Sequence, residues 1–122
     1  MLMRCLLVDD NAAVLSSART LLDQQGVTVV GTASTSAEVL QMAAALRPDV
    51  VLVDIALGEE NGFELARRLT EDNQDNEGAM AVIMISSAAE SDYADLVAES
   101  PAAGFLAKAE LSAEGICRIL GR

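Results

Sequence analysis

Residues 50–54, VVLVD, indicate the fold most directly, because four consecutive apolar residues lead into an aspartate. A strand that is apolar at every residue, rather than at alternate ones, is buried on both faces. Such strands belong to parallel sheets that carry helices on both sides. Similar short apolar runs recur along the chain, and we expect each of them to be a strand of one sheet.

Five apolar runs alternate with stretches of helical spacing. The expected strands cover residues 4–8, 27–33, 50–54, 81–85 and 104–107. Helical spacing is found from 12 to 25, from a cap within 34–36 to Arg47, from Gly62 to Leu69, from about 91 to 99, and after Ser112. Residues 70–78 are polar and acidic, and we expect a mobile loop there. The right-handed crossover rule then favours a doubly wound, flavodoxin-like α/β fold with strand order 2-1-3-4-5, in one domain over residues 1–122.

The composition excludes several classes of function. The formal net charge is −11 with no basic cluster, so direct nucleic-acid binding is not expected. No apolar run approaches the roughly 18 residues of a membrane span, which predicts a cytoplasmic protein without membrane association. The chain has no histidine, which excludes His-ligated zinc, Ser-His catalysis and a phosphohistidine carrier. Cys5 and Cys117 lie in apolar contexts and are interpreted as reduced core residues.

Polar residues end or directly follow four of the expected strands. They are Asp9, Asp10, Asp54, Ser86 and Lys108. Ligands of open parallel sheets bind outside the carboxyl ends of the strands, so these side chains are expected to converge. At roughly 5 Å and an effective dielectric constant of about 20, each pair of carboxylates repels by about 3 kcal/mol. A bound cation would offset this repulsion, and an all-oxygen donor set favours Mg²⁺ or Mn²⁺.

Four motifs together resemble the receiver domains of two-component response regulators, in particular the single-domain, chemotaxis-regulator-like ones. They are LLVDDN at 6–11, VVLVDI with LGEENGFELARRL at 50–69, VIMISSA at 82–88 and GFLAK at 104–108. The resemblance covers essentially the whole chain, with Gly62 eight residues beyond Asp54. No single motif is very specific, whereas the four in order are.

The resemblance implies a phosphoryl-transfer site. Asp54 would be the phosphoacceptor, attacking a phosphoryl group on the histidine of a sensor kinase or phosphotransfer protein. Asp10 would ligate Mg²⁺ directly and Asp9 through water, with Asp54 and the backbone carbonyl of Ala56 completing the metal site. Lys108 would pair with the phosphoryl group. This is carboxylate nucleophilic catalysis assisted by a metal, in a signalling switch rather than a turnover enzyme.

The resemblance also implies a conformational switch. Ser86 would supply the switch hydroxyl and Phe105 the aromatic ring that changes rotamer. The readout surface for an unidentified output protein would comprise the helix from Ser91, the Phe105 strand and the last helix, and homodimer formation on activation is left open.

One departure from the family pattern concerns the residue after Lys108. The family usually has a proline there, often in a cis bond, whereas this chain has Ala109. Because a non-proline cis bond costs about 3 kcal/mol, a trans bond with a displaced Lys108 is expected. This departure keeps open one alternative, a docking module that works without phosphorylation. A second alternative is independent of it: the chain is the N-terminal fragment of a DNA-binding response regulator.

Two further functions fit the fold but not the residues. A flavodoxin-like electron carrier should have a Ser/Thr/Gly-rich phosphate loop after its first strand, where this chain has Asp9, Asp10 and Asn11. An aspartyl-nucleophile hydrolase usually has a second acid two residues after the nucleophile, a position that Ala56 occupies here.

Overall fold

A five-stranded parallel sheet forms the centre of the computed structural model, which describes residues 3–57, 60–72, 80–87 and 94–121. Its strands are β1 (Met3–Val8), β2 (Val27–Ala33), β3 (Val50–Asp54), β4 (Ala81–Ser86) and β5 (Gly104–Ala107). They are parallel and lie in the order β2-β1-β3-β4-β5, which confirms the predicted topology.

Helices follow the strands in alternation. They are α1 (Ala12–Gln24), α2 (Ser36–Leu46), α3 (Gly62–Asp72), α4 (Ala94–Glu99) and α5 (Ala113–Leu120), with a 3₁₀ turn at Lys108–Glu110. Two short antiparallel strands, Ala56–Leu57 and Glu60–Asn61, lie between β3 and α3. The sequence pattern gave no sign of this short pair.

Two separate apolar cores cover the two faces of the sheet. Because side chains alternate along each strand, Val51 and Val53 pack in the core with α2 and α3, whereas Val50 and Leu52 pack in the core with α1 and α5. All four are fully buried. This double burial is the reason that β3 is apolar at every position.

Polar side chains cap the helices at the positions where the sequence predicts their starts. The Asn11 side chain accepts hydrogen bonds from Ala13 N (2.9 Å) and Val14 N (3.2 Å) at the start of α1. Thr35 caps α2, and Ser112 caps α5 by accepting from Gly115 N at 3.0 Å. Each cap satisfies an amide that the helix itself leaves unpaired.

Helix α3 is longer than predicted, because residues 70–72 extend it instead of starting a loop. Arg67 pairs with Glu71 one turn later at 2.8 Å, and Thr70 Oγ1 donates to Ala66 O at 2.9 Å. Ion pairs at this spacing stabilise a helix surface, which explains a helical end in a polar stretch. The rest of that expected loop, residues 73–79, and residues 91–93 of the expected fourth helix lie outside the described residues.

Helix α2 ends at Leu46, and the next residue, Arg47, adopts the left-handed conformation. Arg47 has a φ of 48° and ψ of 62°, and its N–H donates to Ala43 O. Arg47 precedes Pro48, whose ring disfavours the right-handed α region for the residue before it, and here that residue adopts the left-handed rather than the extended conformation.

Two class predictions can be compared with the described residues. Within them, no helix is both long enough and apolar enough to cross a membrane. Both cysteines are free thiols, as predicted, but only Cys5 is buried in a core, whereas Cys117 is half-buried.

Candidate functional site

Three carboxylates meet at the carboxyl end of the sheet. Asp9 directly follows β1, and Asp54 ends β3, the strand paired next to it through Val8 and Val53. Together with Asp10 they place one carboxylate oxygen each within 4.8 Å of the others. Asp9 and Asp54 are buried, with exposures of 1% and 5%, whereas Asp10 is exposed. The convergence predicted from the strand ends is therefore confirmed for all three.

Backbone amides orient the two buried carboxylates. Asn11 N–H donates to Asp9 Oδ1 at 2.9 Å, and Ala56 N–H donates to Asp54 Oδ1 at 3.1 Å. Each amide fixes one oxygen of its carboxylate and leaves the second oxygen facing the other charges. The carbonyl of Ala56 belongs to the first residue of the short strand after β3.

Lys108 brings a positive charge to these second oxygens. Its Nζ lies 2.7 Å from Asp9 Oδ2 and 3.2 Å from Asp54 Oδ2. No peptide bond among the described residues is cis, so the expected trans bond to Ala109 is confirmed. The expected displacement of Lys108 is wrong, because β5 and the 3₁₀ turn that begins at Lys108 still place its side chain between the two acids.

Burial and neighbouring charges shift the pKa values of Asp54 and Lys108. Burial raises the pKa of Asp54, the negative charge of Asp9 raises it further, and Lys108 and the Ala56 amide only partly offset this. Burial lowers the pKa of Lys108, but the close contact of its Nζ with Asp9 and the negative charges of Asp54 and Asp9 outweigh the effect of burial, so that the pKa lies above its ordinary value. The ammonium is therefore held in its charged form by the acids around it.

One buried oxygen lacks a hydrogen bond. Asp9 Oδ2 accepts no hydrogen bond from the described residues, although it forms the ion pair with Lys108. A buried carboxylate oxygen without a donor is costly and favours a positively charged ligand. Three carboxylates against one ammonium thus fit a hard divalent cation with oxygen ligands, and Asp9, Asp10 and Asp54 are the residues that could hold it.

Ser86 and Phe105 lie on adjacent strands beside this group. Ser86 is buried at the carboxyl end of β4, one residue beyond the pair formed by Asp54 and Ile85. Phe105 is half-buried on β5, beside Met84, and packs against the core on the α2–α3 face. Ser86 therefore ends the strand next to the one that Asp54 ends, and Phe105 lies on the following strand.

Gly62 has a positioning role that the sequence reasoning did not assign. Its N–H donates to Ile55 O at 3.0 Å, and a Cβ at this position would lie 2.3 Å from the carbonyl oxygen of Asp54. The first residue of α3 therefore packs directly on the backbone that carries Asp54. Its fixed spacing from Asp54 was the available sequence signal.

Comparisons with known proteins agree with this architecture. A family model described as "Response regulator receiver domain" matches residues 5–119. The chain is 31% identical over 107 residues to a "Putative transcriptional regulator" of Pseudomonas aeruginosa, and 32% identical over 108 residues to "Response regulator GacA" of Pseudomonas viridiflava. These matches cover 88% of this chain but 50% and 49% of the relatives, so the chain spans about half the length of the curated relatives it matches.

Solved structures show the same likeness. A two-component response regulator of the LuxR family from Aurantimonas sp. SI85-9A1 superposes with a TM-score of 0.83 at 27% identity, covering 100% of this chain and 88% of that one. A CheY-like receiver domain protein from Methanospirillum hungatei JF-1 superposes with a TM-score of 0.74 at 26% identity, covering 99% and 92%. With its strand order and its matched length, the chain belongs to the family of response regulator receiver domains, the signalling modules of two-component systems.

Proposed function

We propose that this receiver domain is a phosphorylation-dependent switch in which Asp54 accepts a phosphoryl group from a phosphohistidine. The observation that carries the proposal is the buried Asp54 carboxylate, which shares Lys108 with Asp9 and has an oxygen within 4.8 Å of an oxygen of Asp9 and of Asp10. The donor would be a sensor histidine kinase or a phosphotransfer protein of the cytoplasm, since this chain itself has no histidine.

In the proposed step, an oxygen of Asp54 attacks the phosphorus. A bond forms between that oxygen and phosphorus, the phosphorus–nitrogen bond breaks, and the imidazole of the donor leaves with the electron pair. The Ala56 amide keeps the carboxylate in place, and Lys108 contributes positive charge near the transferring group. The products are an aspartyl phosphate on this chain and a free histidine on the donor.

Asp9, Asp10, Asp54 and the backbone carbonyl of Ala56 would hold Mg²⁺. When bound, the metal offsets negative charge on the transferring phosphoryl group. The support for this assignment is the all-oxygen donor set and the buried Asp9 Oδ2 without a hydrogen bond. Asp10 is exposed, which leaves one side of the group open to solvent.

Phosphorylation would be read out through Ser86 and Phe105. A phosphoryl group adds nearly two negative charges, toward which the Ser86 hydroxyl and the Lys108 ammonium would move. The space that Ser86 vacates would admit the Phe105 ring, which is half-buried on the neighbouring strand. The proposed readout surface includes α4, where Leu96 is 50% exposed.

Intact-mass measurement after treatment with acetyl phosphate tests this function. The unaltered chain should gain the mass of one phosphoryl group with Mg²⁺ and none after chelation. Asp54→Asn should gain none, whereas Asp95→Asn, which removes an exposed carboxylate from α4, should behave as the unaltered chain. Labelling of Asp54→Asn would refute the site, and no uptake by the unaltered chain would favour a docking module that works without phosphorylation.

A second candidate is favoured by the names and lengths of the relatives. Several matches are described as transcriptional regulators or response regulators of about twice the matched length. In this proposal the domain is the N-terminal part of a DNA-binding regulator and controls an attached output domain. An immunoblot of the native host against this domain distinguishes the two cases by the size of the protein detected.

A further inference from the structure

An apolar slot lies beside the carboxylates and has no part in the proposed phosphoryl transfer. Its volume is about 330 Å³, and it is bounded by α1, the end of β1, Ile85 of β4 and the turn that follows β5. We call it the α1 slot and define it by Leu7, Asp9, Ala13, Ala18, Leu21 and Lys108, with further lining residues between them.

Short side chains on α1 leave this space open. Ala13, Ser17 and Ala18 face the slot, and none of them reaches far enough to fill it. From Ala13 to Leu21 the helix rises by about 12 Å, so the slot has the length of a small elongated molecule. Its volume is at the lower end of the roughly 300–1,000 Å³ that is typical of small-molecule sites.

The slot is charged at one end only. Asp9 and Lys108 line the end near the site, whereas Leu21, 37% exposed, lines the other. Asp9 is 1% exposed, and its Oδ2 accepts no hydrogen bond from the described residues. With Asp10 and Asp54 beside it, three carboxylates face one ammonium, so an added cation is favoured and an added anion is repelled.

Lys108 shows which chemistry suits this end of the slot. It is an ammonium on an aliphatic chain, and its Nζ lies 2.7 Å from Asp9 Oδ2. A second ammonium could donate the hydrogen bond that this oxygen lacks. An aliphatic or aromatic group attached to that ammonium would then pack along Ala18, where its apolar surface is buried away from water.

We propose that the α1 slot binds small amphipathic amines, with the ammonium at Asp9 and the apolar body along α1 toward Leu21. Such a ligand competes with a divalent cation for Asp9. It would therefore hold the domain in the unphosphorylated state, a consequence that rests on the proposed function.

Titration of the full chain with n-hexylammonium, without metal and followed by amide chemical shifts, tests the proposal. Each buried methylene should lower the dissociation constant by about fourfold, so hexylammonium should bind about tenfold or more tightly than butylammonium. Hexanoate and n-hexanol, which match the tail but not the charge, should bind at least about tenfold more weakly. Equal binding of hexanoate would show that the slot does not select the charge of the ligand, and equal binding of hexanol would show that it binds through apolar contact alone. Either result overturns the proposal.

Three variants of α1 locate the bound amine. Ser17→Phe blocks the slot from its exposed side and Ala18→Leu fills it from within, so each should weaken hexylammonium binding by at least about tenfold. Ser16→Phe is the matched control, since Ser16 is exposed on the same helix and does not line the slot. Unchanged binding by Ser17→Phe, which is expected to fold because position 17 is exposed, overturns the proposal even if Ala18→Leu is unstable.

Magnesium separates this proposal from the proposed function. Mg²⁺ should raise the apparent dissociation constant of hexylammonium, and Ser17→Phe should bind Mg²⁺ as the unaltered chain does. A chain that binds hexylammonium but takes up no phosphoryl group refutes the proposed function alone. A chain that is phosphorylated but shows no saturable hexylammonium binding refutes the slot alone.

Discussion

Substituting Gly62 by alanine tests how closely α3 controls the position of Asp54. The added Cβ would lie 2.3 Å from the carbonyl oxygen of Asp54 and 2.9 Å from Cα of Ile55. Such contacts are essentially never shorter than 3.0 Å, so the backbone must separate by at least 0.7 Å, the difference from the first of these distances. Both contacted atoms belong to the backbone and cannot be relieved by a change of rotamer.

Two opposing contributions set the size of the effect. Overpacking costs about 1–3 kcal/mol, and the upper part of that range applies where backbone meets backbone. Alanine gains at most about 1 kcal/mol over glycine in helix propensity. We therefore expect Gly62→Ala to lower the free energy of unfolding by about 1–2 kcal/mol. A displacement approaching 1 Å at a reacting group costs up to about a hundredfold in rate, so phosphoryl uptake should slow by about 10- to 100-fold.

Urea unfolding and the initial rate of labelling by acetyl phosphate measure these two effects. Gly115→Ala is the matched control, because its Cβ would meet the ends of the Leu106 and Ser112 side chains, at 3.1 and 3.2 Å, far from Asp54 along the chain. The control should keep the labelling rate. If Gly62→Ala also keeps both the unfolding midpoint and the labelling rate, the close packing of α3 on the Asp54 backbone does not constrain the site.

Three further predictions concern charge, protonation and capping. Asp10→Asn should weaken Mg²⁺ binding, measured by calorimetry, by at least about tenfold. Without metal it should raise the free energy of unfolding by about 1 kcal/mol, because it removes repulsion between carboxylates within 4.8 Å that water screens at this exposed residue. A lower metal-free stability would contradict this. Burial raises the pKa of the Cys5 thiol from 9.0 to about 12, so above pH 9 the unfolded chain loses a proton that the folded chain keeps. The free energy of unfolding, compared with that of Cys5→Val in urea titrations, should therefore fall by up to about 1.4 kcal/mol per pH unit above pH 9. Parallel pH profiles of the two proteins would exclude this assignment. Asn11→Ala should lower the free energy of unfolding by about 1 kcal/mol in the same assay, whereas Asn11→Ser should keep most of the stability of the unaltered chain. Equal stability of Asn11→Ala and the unaltered chain would show that the cap of α1 contributes nothing.

The strands were predictable because their cause is local. Residues 50–54 are apolar on both faces of the sheet, and a parallel sheet brings its carboxyl ends together whatever the details of the loops. The meeting of Asp9, Asp10 and Asp54 follows from that arrangement. The sequence pattern therefore predicted the topology and the cluster of carboxylates.

Features that depend on packing between distant segments were not predictable. The path of Lys108 to the acids, despite Ala109, is determined by β5 and the turn after it and not by the proline that the family usually has. The approach of Gly62 to the Asp54 backbone is likewise a contact that a linear pattern does not contain. The last turn of α3 carries an ion pair between Arg67 and Glu71, where polarity alone indicated a loop.

The division of the interior by the sheet has a consequence for how this domain tolerates change. Leu22 of α1 and Leu69 of α3 are both fully buried but belong to different cores, separated by the backbone of the strands. Losses from truncating two such residues should be additive, since they share no neighbouring side chains. Substitutions in the core under α1 and α5 can therefore alter the ligands that this side of the sheet binds, while the core under α2 and α3 keeps its own contribution to stability.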